Sequence, residues 1–182
     1  MKKYLALLLI VFSGILMASC GGNPSSEPVN TDKSAGQENN NHSAADGFLY
    51  TGEKIEIFIP EGWSYTDDMA GIKPDMGAGF FNMKRKGKEF YVMLKFQFDN
   101  SQTPEQYLGA FINNFPQYNP TPMKPETHGG TQYQTTSYVY GLPQTQYAAK
   151  INNTMITITV QGRDHAGDPD VRTILENIKY KL

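Results

Sequence analysis

Glu89-Phe90-Tyr91-Val92-Met93-Leu94-Lys95-Phe96-Gln97-Phe98 carries the strongest strand pattern in the chain. Side chains alternate across an extended chain, so Phe90, Val92, Leu94, Phe96 and Phe98 share one face while Tyr91, Met93, Lys95 and Gln97 share the other. Such a strand needs a covered side and partners for its backbone. The partner on its N-terminal side is residues 79–85, joined to it through Lys86-Gly87-Lys88 as a hairpin.

Further strands lie on both sides. Residues 54–59 place Ile55, Ile57 and Ile59 on one face, and Pro60-Glu61-Gly62 ends them with a turn. Trp63, the sole tryptophan, follows directly. It is expected to fold back onto the core, because the chain must reverse at the rim of a sheet. A loop rich in Gly, Asp and Met then runs to Met76. Later, residues 131–140 and 145–151 read as strands, and Asn152-Asn153 turns the second into 155–161, where Ile156, Ile158 and Val160 alternate with Met155, Thr157 and Thr159.

Two helices complete the pattern. Thr103 is placed as an N-cap, with Pro104 at the first position, Glu105 in the first turn and Gln106 closing a capping box. Tyr107, Leu108, Phe111, Ile112 and Phe115 form its apolar stripe, and Pro116 stops it. A fully buried residue of this kind contributes roughly 1.5 to 3 kcal/mol, so the stripe calls for a sheet to cover. The Pro-rich residues 119–125 read as a loop. Asp168 and Pro169 open the second helix, with Val171, Ile174, Leu175 and Ile178 facing inward. Strands with helices laid on them predict an α+β body built on an antiparallel sheet.

Ile57-Phe58-Ile59-Pro60-Glu61-Gly62-Trp63, the Thr-Pro-capped helix, the three strands after it and Ile174-Leu175-Glu176-Asn177-Ile178-Lys179 together resemble the PsbP-like superfamily. That group includes the photosystem II extrinsic protein, Ran-release factors of the Mog type and bacterial DcrB-like envelope lipoproteins. The resemblance covers most of residues 47–182. It implies the fold and a body that binds other macromolecules more often than it does chemistry, and it carries over no active residue.

Ahead of this body the chain changes character. Lys2 and Lys3 precede an apolar run of about 14 residues ending at Met17, too short to span a roughly 30 Å hydrocarbon core. Leu16-Met17-Ala18-Ser19-Cys20-Gly21 then resembles a lipobox. Residues 1–19 are therefore expected to be a lipoprotein signal peptide, with Cys20, the one cysteine, as the lipid-attachment residue. Two or three acyl chains of the palmitate kind suffice for stable anchoring at about 0.8 kcal/mol per buried methylene. Residues 20–46 form the lipidated Cys and a linker of Asn, Ser, Gly, Pro, Glu and Ala too polar to pack, and 47–182 form one domain. The expected location is the cell envelope, outside the cytoplasm, and the outer membrane where the bacterium has two.

Loss of Lys2 and Lys3 moves the formal charge from -2 to -4, which excludes a basic field for nucleic acid. Nucleophile elbows, zinc-protease helices, phosphate loops and dinucleotide fingerprints are absent, so no cofactor is expected. His128, His165 and Asp164 are weak metal candidates. An approach of His128 to within about 5 Å of His165 would favour a metal-assisted hydrolase. Asp67, Asp68 and Asp75 are weaker still as calcium ligands. Tyr133, Tyr138, Tyr140 and Tyr147, in or near strands, are candidate ligand-binding residues, since an exposed Tyr offers apolar area and a hydroxyl to a glycan or peptide. The leading expectation is a non-catalytic envelope lipoprotein, anchored to the membrane and binding a protein partner. A glycan or small-molecule module is the alternative.

Overall fold

The computed structural model describes residues 46–69 and 77–182, all within one unit that spans Asn41–Leu182. The lipobox, Cys20, the linker before residue 46 and Asp75 lie outside the described residues. Among the described residues ten strands divide between two antiparallel sheets. The larger has the order β3-β4-β5-β9-β8-β7-β6, formed by Trp63–Asp67, Ala78–Arg85, Tyr91–Gln97, Thr154–Gln161, Leu142–Ile151, Thr131–Tyr140 and Lys124–His128. The smaller is β1-β2-β10, from Gly47–Thr51, Ile55–Pro60 and Lys179–Tyr180.

The expected alternation sets the layers. Val92, Leu94 and Phe96 of β5 and Ile156, Ile158 and Val160 of β9 are buried on the inner face of the large sheet. They join Ile55, Ile57 and Ile59 of β2 and Val171, Ile174, Leu175 and Ile178 in one core. The second helix, α2 (Pro169–Glu176), ends before Ile178, which is buried just beyond it. Asp168 caps α2 by accepting from the Asp170 and Val171 amides.

The first helix, α1 (Pro104–Asn114), lies on the opposite face of the large sheet. Thr103 and Gln106 form the expected capping box. Its stripe is only partly covered: Leu108 is fully buried against Ala148 and Met155 in a small second core, with Tyr107 packed on it. Phe111, Ile112 and Phe115 stay half-buried because α1 rests on β7 and β8 near the border of the sheet.

Four stretches differ from expectation. Residues 63–67, assigned to a turn and loop, are strand β3, which carries the chain from the small sheet to the large one. Lys124–His128 overlaps the expected Pro-rich loop and forms the edge strand β6, where Pro125 is tolerated on a border that has no further partner. Gly47–Thr51 and Lys179–Tyr180 are strands that no periodicity announced.

Trp63 is buried, as expected, and its indole N–H donates to Asp170 Oδ2 at 3.0 Å. Arg85, its cross-strand partner, donates to Asp168 Oδ2 at 2.9 Å and pairs with Asp170 at 3.2 Å. The corner between the two sheets is thereby fastened to the start of α2.

Candidate functional site

The four tyrosines divide between the two faces of the large sheet. Tyr133 and Tyr147 are 1% and 6% exposed and point into the core. Tyr133 shares a hydrogen bond of 2.7 Å with Tyr180, and Tyr147 meets His128 edge-on at 5.5 Å. These two therefore do not join a solvent-facing platform. Parity explains the division: odd positions of β7 face inward, whereas Tyr138 and Tyr140 face α1.

On that second face an aromatic seam runs between helix and sheet. Phe111 lies 4.7 Å from Tyr138 and 5.3 Å from Phe115, ring centre to ring centre. Phe115 stacks on Tyr118 at 5.7 Å, and Tyr118 meets Tyr140 edge-on at 5.0 Å. Spacing of four residues puts Phe111 and Phe115 on one helix face, and the 3-10 turn Pro116–Tyr118 brings Tyr118 back over β7. The seam begins half-buried and ends in water, with Tyr140 48% exposed. Burial, with the phenols of Tyr107 and Tyr118 nearby, pushes Tyr138 up to about 12. It is a neutral ring and hydroxyl near pH 7, suited to contact and hydrogen bonding rather than to proton transfer.

The metal candidates stay apart. His165 is buried, and its Nδ1 lies 2.8 Å from the Gly162 carbonyl, which can only accept. Nδ1 therefore carries the proton, and Nε2 accepts from the Thr145 hydroxyl at 2.7 Å, which in turn accepts from Ser137 at 2.9 Å. Every polar atom of the imidazole is satisfied inside the protein. His128 stands opposite Thr131 in β7, whereas Thr145 stands opposite Ser137. Six residues of strand separate those rows, about 20 Å. Asp164 is an exposed loop residue with φ 59°. Among the described residues no group of His, Cys, Asp and Glu is arranged to hold a metal ion.

His128 instead belongs to a clasp. Its Nδ1 is 2.8 Å from Glu176 Oε1 and its Nε2 3.3 Å from Glu126 Oε2, while the Gly129 amide donates to Glu176 Oε2 at 3.0 Å. This ties the β6–β7 hairpin to the last turn of α2. The Gly129 amide, then His128, hold the Glu176 carboxyl below its ordinary range. Burial alone would raise Glu126, but hydrogen bonds from Lys124 and His128 and their charges outweigh it and bring it down. A carboxyl lowered by folding contributes stability above its unfolded pKa, and that contribution is lost as pH falls through the folded value. Glu176→Gln will therefore narrow the stability gap from wild type as pH drops from 7 to about 3. The gap at pH 7 will be within roughly 1 kcal/mol, since the carboxylate is half exposed. Urea melts of both proteins across pH measure it, and a gap that widens in acid would refute the clasp.

No family model matches the chain, and no curated protein does. Among solved structures it is similar to the solution structure of cyanobacterial PsbP (CyanoP) from Synechocystis sp. PCC 6803, with a TM-score of 0.52 and 13% identity over 76% of this chain and 95% of that one. At that identity the likeness concerns the fold: the described body is an α+β, PsbP-like domain with two antiparallel sheets and two helices packed on them.

Proposed function

We propose that the protein is a membrane-anchored lipoprotein of the cell envelope, held by Cys20, whose PsbP-like body binds a protein partner and performs no chemistry of its own. One observation carries the binding part: the aromatic seam runs from under α1 to the exposed Tyr140 on the large sheet. Aromatic rings with apolar neighbours and a polar rim are the composition that anchors protein interfaces. The glycan reading retains Tyr138 and Tyr140. Tyr118 meets Tyr140 edge-on, however, which favours insertion into a partner's surface over a flat stacking platform for a sugar.

Two measurements test the two halves. Radioactive fatty acid will label wild type and not Cys20→Ala, and absence of label on wild type would remove the anchor from the proposal. A photo-crosslinking phenylalanine in place of Tyr140 will give a discrete adduct in cells, abolished by Tyr118→Asp, whereas the same residue at Gln132, exposed on the same face near the other end of β7, will not. Equal adducts at both positions would point to collision alone and end the seam reading.

A further inference from the structure

Edge strands present unpaired backbone groups, and most are guarded by charge, proline or brevity. β6 carries Lys124, Pro125, Glu126 and His128, β3 ends in Asp67, and β10 has two residues. β1 has none of these guards. Gly47-Phe48-Leu49-Tyr50-Thr51 is uncharged, lacks proline and runs in unbroken register against β2 from Gly47↔Pro60 to Thr51↔Glu56. Phe48 and Leu49 are 49% and 55% exposed.

The hydrogen bonds at the two ends of that ladder fix which backbone groups of β1 point away from β2 and have no strand partner among the described residues. Glu61 N–H donates to the Asp46 carbonyl at 2.6 Å, and Gly52 N–H donates to the Ile55 carbonyl at 2.8 Å. In an antiparallel pair the bonded residues alternate, so Asp46, Phe48, Tyr50 and Gly52 turn their backbone groups toward β2. Gly47, Leu49 and Thr51 turn theirs outward. This row is symmetric about Leu49.

We infer that β1 is a self-association strand, pairing antiparallel with β1 of a second copy through Leu49 against Leu49, so that the two small sheets become one continuous sheet. The symmetric register exchanges both hydrogen bonds between the Leu49 residues and again between each Gly47 and the opposite Thr51. It sets Phe48 of one copy beside Tyr50 of the other. A second copy is the occupant that this row fits without adjustment, because a strand whose free groups are symmetric about one residue completes itself under a two-fold axis. Charge agrees: nothing ionised falls within the paired window, and each flanking Asp46 meets Gly52 of the other copy instead of an acid.

The test uses a chain that begins at residue 21 and therefore has no cysteine. Hydrogen-bonded antiparallel partners have Cα atoms about 5.5 Å apart, inside the range a disulfide bridges. Mild oxidation of Leu49→Cys will convert most of the protein to a linked dimer, and Thr127→Cys, exposed on the guarded edge β6, will not follow. Sedimentation of the unaltered chain over roughly micromolar to millimolar concentrations will show a reversible dimer, weakened at least about tenfold by Leu49→Lys. Leu49 is more than half exposed, and an unchanged thermal melt will confirm that the variant folds. A monomer at every concentration, equal linking at positions 49 and 127, or a dimer indifferent to Leu49→Lys overturns the inference.

Discussion

Trp63→Ala will destabilise the folded body by roughly 3 to 5 kcal/mol, the range typical for removal of a buried tryptophan. The ring is 7% exposed at the corner where the chain leaves the small sheet, and its indole N–H is joined to Asp170. Truncation would leave a cavity and an Asp170 oxygen with only Arg85 beside it. Trp63→Phe separates the two effects, since it keeps much of the ring volume and loses the hydrogen bond, worth about 1 to 3 kcal/mol with a charged acceptor. Urea denaturation measures both variants. Native emission of this sole tryptophan will be blue-shifted in the wild type. A water-like emission together with a wild-type melt for Trp63→Ala would show an exposed ring, open to ligand stacking, instead of a buried one.

The second large effect is expected at Gly129. Its φ is +56°, and a Cβ added there would lie 2.9 Å from the Glu176 carbonyl oxygen and 3.2 Å from that of Ile178. Both neighbours are backbone, so neither can rotate away. Left-handed strain combined with that approach puts Gly129→Ala at roughly 2 to 3 kcal/mol. Gly130 has φ +79° and open space around its Cβ position, so Gly130→Ala carries the conformational cost without the clash. Gly130→Ala is expected to cost about 1 kcal/mol. If the two variants melt alike, the close packing of the β6–β7 turn on the end of α2 is not what holds that region.

Much of the body was legible in the residues. Alternation identified β2, β5 and β9, the Lys86-Gly87-Lys88 turn identified β4 as a hairpin partner, and the Thr103 and Asp168 caps located the start of both helices, because these signals are local; the second helix, read on through Ile178, ends at Glu176. The strands that escaped notice lack a local signal. β1 shows apolar residues on both faces, β6 hides its pairing behind Pro125, and β10 is two residues long. Their extended state is imposed by partners far away in sequence. The division of the tyrosines between faces also needed a register, since parity within β7 relates Tyr133 to Tyr138 but does not say which side is the core. Phe111 and Phe115 were read as part of a buried stripe, and Tyr118, just beyond the helix stop, was assigned to no element. They became the seam because α1 covers the sheet only in part.

The position of β10 bears on how the chain acquires its structure. Tyr180 pairs with Ile55, the Tyr180 hydroxyl reaches Tyr133, and Lys181 N–H donates to the Lys54 carbonyl. The small sheet thus draws together residues more than a hundred positions apart, and β2, whose isoleucines form the middle of the core, acquires its second neighbour only when residues 179–180 arrive. Closing a loop of that length carries its entropy cost before most of the burial that offsets it, which places the body among slow folders for its size. Removal of residues 179–182 would leave β2 with β1 as its one strand partner among the described residues and take the Tyr180 hydroxyl from Tyr133, and urea denaturation of the shortened chain will show a lower stability.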